Sequence, residues 1–181
     1  FNPDPVLFYE IPKDGEYTIE IKDSIYRGRE DFVYRIAIGE LPYVTSIFPL
    51  GGRAGDKTSV ELKGWNLPMT QLTLDVADRD CGILPVTVVN EERVSNRMPF
   101  AVDTLPECRE KEPNNDQKRA QTLKAPIIVN GRMDQPGDSD VFSFDGRAGD
   151  EIVAEVRARR LNSPLDSVLK LTDASGKQLA F

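Results

Sequence analysis

The sequence predicts an all-β protein built of antiparallel β-sandwiches, and three observations carry that expectation. Strand-length segments alternate apolar and polar residues, turn residues separate them, and only a short stretch, about Asp116 to Leu123, has helical character. Tyr17, Ile19 and Ile21 alternate with Thr18, Glu20 and Lys22 behind a Lys13-Asp14-Gly15 turn. Phe32, Tyr34, Ile36 and Ile38 repeat the pattern, followed by Leu72, Leu74 and Val76 and then by Ile152, Ala154, Val156 and Ala158. A period of two places each apolar set on one face of a strand. The 13 Gly and 13 Pro are spread along the chain as turn punctuation.

Composition excludes several function classes. With 181 residues the chain can bury a core without disulfides. Its 23 Lys and Arg against 30 Asp and Glu leave a net charge of -7, which argues against a nucleic-acid partner. The acidic balance has two readings, solubility or a hard-cation site where carboxylates converge. There is no His, so Ser-His-Asp and Cys-His catalysis and every His-containing zinc site are excluded. Two Cys cannot form a four-thiolate site. No apolar stretch approaches the ~20 residues of a membrane span. The residues from Phe1 show no basic segment, apolar stretch and cleavage site, so no signal peptide is expected among them.

Gly52-Arg53-Ala54-Gly55-Asp56 recurs as Gly146-Arg147-Ala148-Gly149-Asp150. The flanking sequences differ, which favours two independent turns of one type over a duplicated domain. Pro42 and Pro106 mark boundaries, because Pro ends regular strand pairing. Three segments follow: 1–41, 42–104 and 105–181.

The last segment carries recognisable motifs. Glu112-Pro113-Asn114-Asn115-Asp116 precedes the helix-like stretch. Val129-Asn130-Gly131-Arg132, Gly137-Asp138-Ser139-Asp140-Val141-Phe142-Ser143-Phe144 and Gly149-Asp150 follow in order. Residues 107–181 thereby resemble the bacterial pre-peptidase C-terminal domain family, non-catalytic β-sandwich modules of exported proteins similar to the collagen-binding domains of clostridial collagenases. The later strands of that family are absent after Phe181. Phe8 to Ile19, with its Asp14-Gly15 turn, resembles the family's closing hairpin, and Phe32 to Ile36 its last strand. The middle segment resembles an immunoglobulin-like IPT/TIG domain, on Pro42 to Pro49, Gly51-Gly52, Val60 to Leu67 and Ser95 to Val102. These resemblances imply jelly-roll-like module pieces flanking an Ig-like domain. Residues 1–41 would be the tail of one module and 105–181 the front of a second, which 1–41 could complete within one chain or in a domain-swapped dimer.

Glu110, Glu112 and Asn114 occupy alternate positions and point the same way in an extended segment, as do Asp138 and Asp140. Five oxygen-bearing side chains could converge there, and Ca²⁺ takes 6–8 oxygens. The resemblance implies calcium ligands in this linker, Glu110, Glu112, Asn114 and Asp138, and extends the role to Asn115, Asp116 and Asp140. Against this stands a structural reading: Asn114 caps the short helix with Gln117 as its box partner, while Asp138 and Asp140 shape a turn. Cys81 and Cys108 are either a disulfide or two separate buried thiols. Trp65 is either a core filler or an exposed anchor. Arg157, Arg159 and Arg160 are expected to pair with neighbouring carboxylates.

The function expected is a non-catalytic accessory or binding module of a secreted, periplasmic or cell-surface bacterial multidomain protein. It would be calcium-stabilised, and would position neighbouring domains or bind an extracellular polymer or protein. The alternatives are a spacer without ligand and a hydrolase using two carboxylates at ~5–9.5 Å separation.

Overall fold

The computed structural model describes residues 4–181; residues 1–3 of the first expected segment lie outside the described residues. Alternation becomes regular sheet where a strand finds partners, which happens chiefly in the middle segment. There β1 (Tyr43–Phe48), β3 (Lys57–Trp65) and β4 (Gln71–Asp75) form an antiparallel sheet in the order β1-β3-β4. Facing it is a sheet ordered β2-β8-β5, from β2 (Gly51–Arg53), β5 (Gly82–Val86) and β8 (Met98–Asp103), with β2 parallel and β5 antiparallel to β8. A short hairpin of β6 (Val89–Asn90) and β7 (Arg93–Val94) closes one end.

The core lies between the two sheets. In β8 Met98, Phe100 and Val102 are buried while Pro99, Ala101 and Asp103 are only partly so, and in β3 Val60 and Leu62 point inward. Val44 and Ile47 break the period of two yet are both buried, because a register shift between Val44 and Ser46 adds one residue to β1. Gly64 accommodates that irregularity: a Cβ there would lie 2.0 Å from the Tyr43 carbonyl oxygen. Val76, Val86 and Val88 complete the cluster. Trp65 is not in it. The indole is half-exposed and stacked on Tyr43 and Phe8 at centroid distances of 5.5 and 5.1 Å, so Phe100, fully buried, fills the position expected for a core aromatic.

Beyond the sandwich the strands are short. β9 (Glu107–Arg109) pairs in parallel with β11 (Ile128–Asn130), β10 (Gln121–Thr122) in parallel with β12 (Phe142–Ser143), and β13 (Leu171–Thr172) antiparallel with β14 (Gln178–Ala180). The helix expected near Asp116 to Leu123 does not form. Asp116 instead closes a turn, with the Arg119 N–H on its carbonyl, and the chain enters β10 directly. The only helical element among the described residues is a 3-10 turn at Arg159–Leu161.

Two expected strand regions do not pair. Residues 4–41 and 145–170 form no strand, and Tyr17, Ile19, Ile21, Phe32, Tyr34, Ile36, Ile38, Ile152 and Val156 all remain exposed. Among the described residues, 4–41 contribute no strand to any sheet. The periodicity specifies a face but supplies no hydrogen-bonding partner. In consequence the 20.2 kDa chain exposes 14396 Å², about 5,600 Å² more than the roughly 8,800 Å² of a compact monomer of that mass. The repeated motif is one turn used twice: Gly55 and Gly149 have φ of 94° and 96°, and the Asp56 and Asp150 N–H groups bond back to Arg53 and Arg147.

Candidate metal centre

The chain leaving β8 runs extended along β11, which places the acidic linker. Pairing of β9 with β11 continues one residue further, where the Glu110 N–H donates to the Asn130 carbonyl at 3.0 Å. Gln121 fastens the next turn, accepting from Lys111 N–H at 2.7 Å and donating to the Arg109 carbonyl at 3.2 Å. The Val141 N–H donates to the Asn114 carbonyl at 3.0 Å, bringing Asp140 against the linker.

Three carboxylates converge. One oxygen each from Glu110, Glu112 and Asp140 lie within 4.8 Å of one another. Glu110 Oε1 accepts from the Arg132 N–H and Glu112 Oε2 from the Asn114 N–H. Glu110 Oε2 and Asp140 Oδ1 are buried without a hydrogen-bond partner. Gly131 makes room for them, since a Cβ there would lie 2.5 Å from Glu110 Oε2 and 3.2 Å from Asp140 Oδ2. Burial, with Asp140 adding to it, pushes the Glu110 carboxyl up to about 7, although the Arg132 N–H opposes the shift. Asp140 is also raised, first by burial and then by Asp138, Glu112 and Asp134, against the pull of Glu110.

Asn114 sits beside the cluster with both side-chain atoms unsatisfied. It is 0% exposed, and neither Oδ1 nor Nδ2 has a partner. The helix-cap reading fails on this point: Asn114 caps nothing, and Gln117 Nε2 instead reaches Thr172 Oγ1 and the Asp173 carbonyl at 3.0 Å. The other expected ligands are engaged elsewhere. Asp138 accepts from Asp134 and Ser139 N–H groups and from Asn115 Nδ2 at 2.6 Å, which makes it a turn residue. Asp116 pairs with Arg119 at 2.5 Å, and that contact holds its carboxyl below the usual range. The structure thus brings together Glu110, Glu112 and Asp140 with Asn114 adjacent, and draws Asn115, Asp116 and Asp138 into local turns.

An orphaned buried amide next to converging carboxylates fits an oxygen-preferring divalent cation, which would supply the charge and the electron-pair acceptor those atoms lack. Gly131, Gln121 and Arg132 do not stand out as site residues in the sequence. A Gly inside a strand-like segment, Val129-Asn130-Gly131, is the one signal that marks a close approach.

Cys81 and Cys108 are both free, so neither the disulfide nor a pair of buried thiols is found. Cys81 is exposed just before β5. Cys108 is half-buried in β9, with its thiol pushed up by burial. The three arginines pair as expected, Arg157 and Arg160 with Glu155 at 3.0 and 2.6 Å, and Arg159 with Asp166 at 2.9 Å.

No family model matches the chain. No solved structure matches it either. Over 113 residues, 58% of its length, it is 35% identical to a probable subtilase-type serine protease of Deinococcus radiodurans. The match spans only 16% of that protein. The similarity is therefore to a minor portion of a much longer chain. Among the described residues no helix is long and apolar enough to cross a membrane.

Proposed function

We propose that this chain is a non-catalytic accessory unit of an exported bacterial multidomain protein, related to the pre-peptidase C-terminal modules and stiffened by calcium. The observation that carries the accessory reading is the unpartnered surface. Two segments with strand periodicity leave their apolar faces open, and an excess of about 5,600 Å² exceeds what most stable protein interfaces bury. Such faces suit β-strands of neighbouring domains in the parent protein or, for the isolated chain, of a second copy. The short match within a longer protease is compatible with this placement. The charge, -7, and the absence of His leave no support for nucleic-acid binding or for His-dependent chemistry. Three carboxylates each offer an oxygen within 4.8 Å of the others, and three converging carboxylates suit a divalent cation better than the two-carboxyl arrangement of glycoside hydrolysis.

Glu110, Glu112 and Asp140 would supply carboxylate ligands and Asn114 an amide oxygen. Thermal unfolding in EDTA, then in millimolar Ca²⁺, with Mg²⁺ as control, tests the site. Saturation to a hundred times the dissociation constant stabilises by about 2.7 kcal/mol. A calcium-specific rise that Glu112→Ala abolishes supports the site, and no shift reduces the chain to a spacer without ligand. Light scattering tests the surface: strictly monomeric chain at all concentrations argues against pairing with a second copy.

A further inference from the structure

The carboxylate cluster and the seat of the C-terminal segment on the sandwich share one residue. Arg132 donates its N–H to Glu110 Oε1 in the cluster. Its guanidinium lies over the Phe48 ring at 3.8 Å and pairs with Glu61 at 2.5 Å. Phe48 and Glu61 are cross-strand partners in the β1–β3 register, so Arg132 grips both strands of the sheet at one point. Arg109 grips the same pair, at 5.4 Å from the Phe48 centroid and 3.7 Å from Glu61, and donates to the Ser59 carbonyl. Asn130 adds a bond from the Leu50 N–H to its Oδ1 at 3.1 Å. Arg109 and Asn130 are themselves register partners in β9 and β11. The two short strands therefore meet the sandwich through a compact polar clasp, whose innermost backbone, Gly131-Arg132, packs on Glu110 and Asp140.

We propose that Arg132 is a positioning residue through which a cation at Glu110 and Asp140 sets the seat of the C-terminal segment on the sandwich. This rests on the cation reading above. The Glu110 carboxylate that accepts the Arg132 N–H also meets Asp140, so an ion bound by both would fix the acceptor from which the clasp is held. A bound divalent ion holds that carboxylate in place, and with it the N–H from which the guanidinium departs toward Phe48 and Glu61. Linkage makes the effect reciprocal: loosening the clasp lowers cation affinity by the same factor by which the cation tightens the clasp.

The test uses the full chain with spin labels on native Cys81, which is exposed in the sandwich, and on Ala174→Cys, in the turn between β13 and β14, with Cys108→Ser to remove the other thiol. Calcium affinity is measured by calorimetry and the inter-label distance distribution with and without Ca²⁺. Calcium should narrow the distribution when Arg132 is present. Arg132→Gln and, from the other side of the clasp, Phe48→Leu should each bind Ca²⁺ about fivefold or more weakly, the lower end of ordinary coupling, and show no narrowing at saturation. Near-ultraviolet dichroism of Trp65 reports that the sandwich remains folded. Unchanged affinity in both variants, or narrowing equal to that of the parent, overturns the coupling while leaving the cation site intact. Absence of calcium binding by the parent chain overturns the cation reading and this inference with it.

Discussion

Replacing Asn114 with Leu separates a cation ligand from a structural residue by the sign of its effect. Asn114 is 0% exposed and buries Oδ1 and Nδ2 with no hydrogen-bond partner from the protein. A buried unsatisfied polar group costs about 1–3 kcal/mol, and an apolar residue of similar shape removes that cost. Asn114→Leu should therefore stabilise the chain in EDTA by about 1–3 kcal/mol. For a chain of this size each kcal/mol raises Tm by about 2–4 °C, so the expected shift is roughly +2 to +12 °C. In saturating Ca²⁺ the order should reverse or the gap should close, because the variant lacks one neutral oxygen ligand and gains less from the ion. Scanning calorimetry of both proteins in the two conditions is sufficient. Destabilisation of the variant in EDTA would refute the reasoning, since it would mean that the amide makes favourable bonds in the cation-free state.

Calcium affinity should rise between pH 6 and 8, because Glu110, raised to about 7, must lose its proton to become a ligand; calorimetric titration should show up to about a tenfold gain per pH unit below that value. The sign for stability is opposite in EDTA. The folded-state value lies above the ordinary 4.5, so native protein binds more protons between the two, and Glu110 lowers stability as pH rises through that window. Phe100→Ala should cost about 3–5 kcal/mol in urea unfolding, since the ring is fully buried between the two sheets. Thiol titration should find Cys81 reacting at once and Cys108 slowly, because only Cys81 is exposed and burial raises the Cys108 thiol.

Much of the fold was legible because the signals are local. Of the alternations read in the sequence, that of Leu72, Leu74 and Val76 is realised, with Leu72 and Leu74 of β4 packed against the core and Val76 inside it. Gly55 and Gly149 mark the same turn wherever it occurs. The alternation of Glu110 and Glu112 in the linker is realised as two carboxylates on one side of an extended segment, where Asp140 joins them. The resemblance placed Asp138 ahead of Asp140 as a ligand, and the structure reverses the order: Asp138 is consumed by the Asp134–Ser139 turn, and Asp140 meets Glu110. The helix near Asp116 was misread for a related reason. An Asn three residues before a Gln satisfies a capping pattern, yet Gln117 is drawn to Thr172 and Asp173, more than fifty residues away.

The amino-acid sequence by itself determined the all-β class, the Gly-marked turns and the absence of histidine chemistry. These follow from covalent order, side-chain polarity and a repeat of two residues, none of which needs a partner. Only the tertiary structure decided which strands are covered, which carboxylates meet, and that Arg132 joins the acidic cluster to Phe48 and Glu61. Those are facts about convergence of distant segments. A strand pattern in Tyr17 to Ile21 or Ile152 to Ala158 states what a segment would bury, whereas a hydrogen-bonding neighbour in space determines whether it buries it.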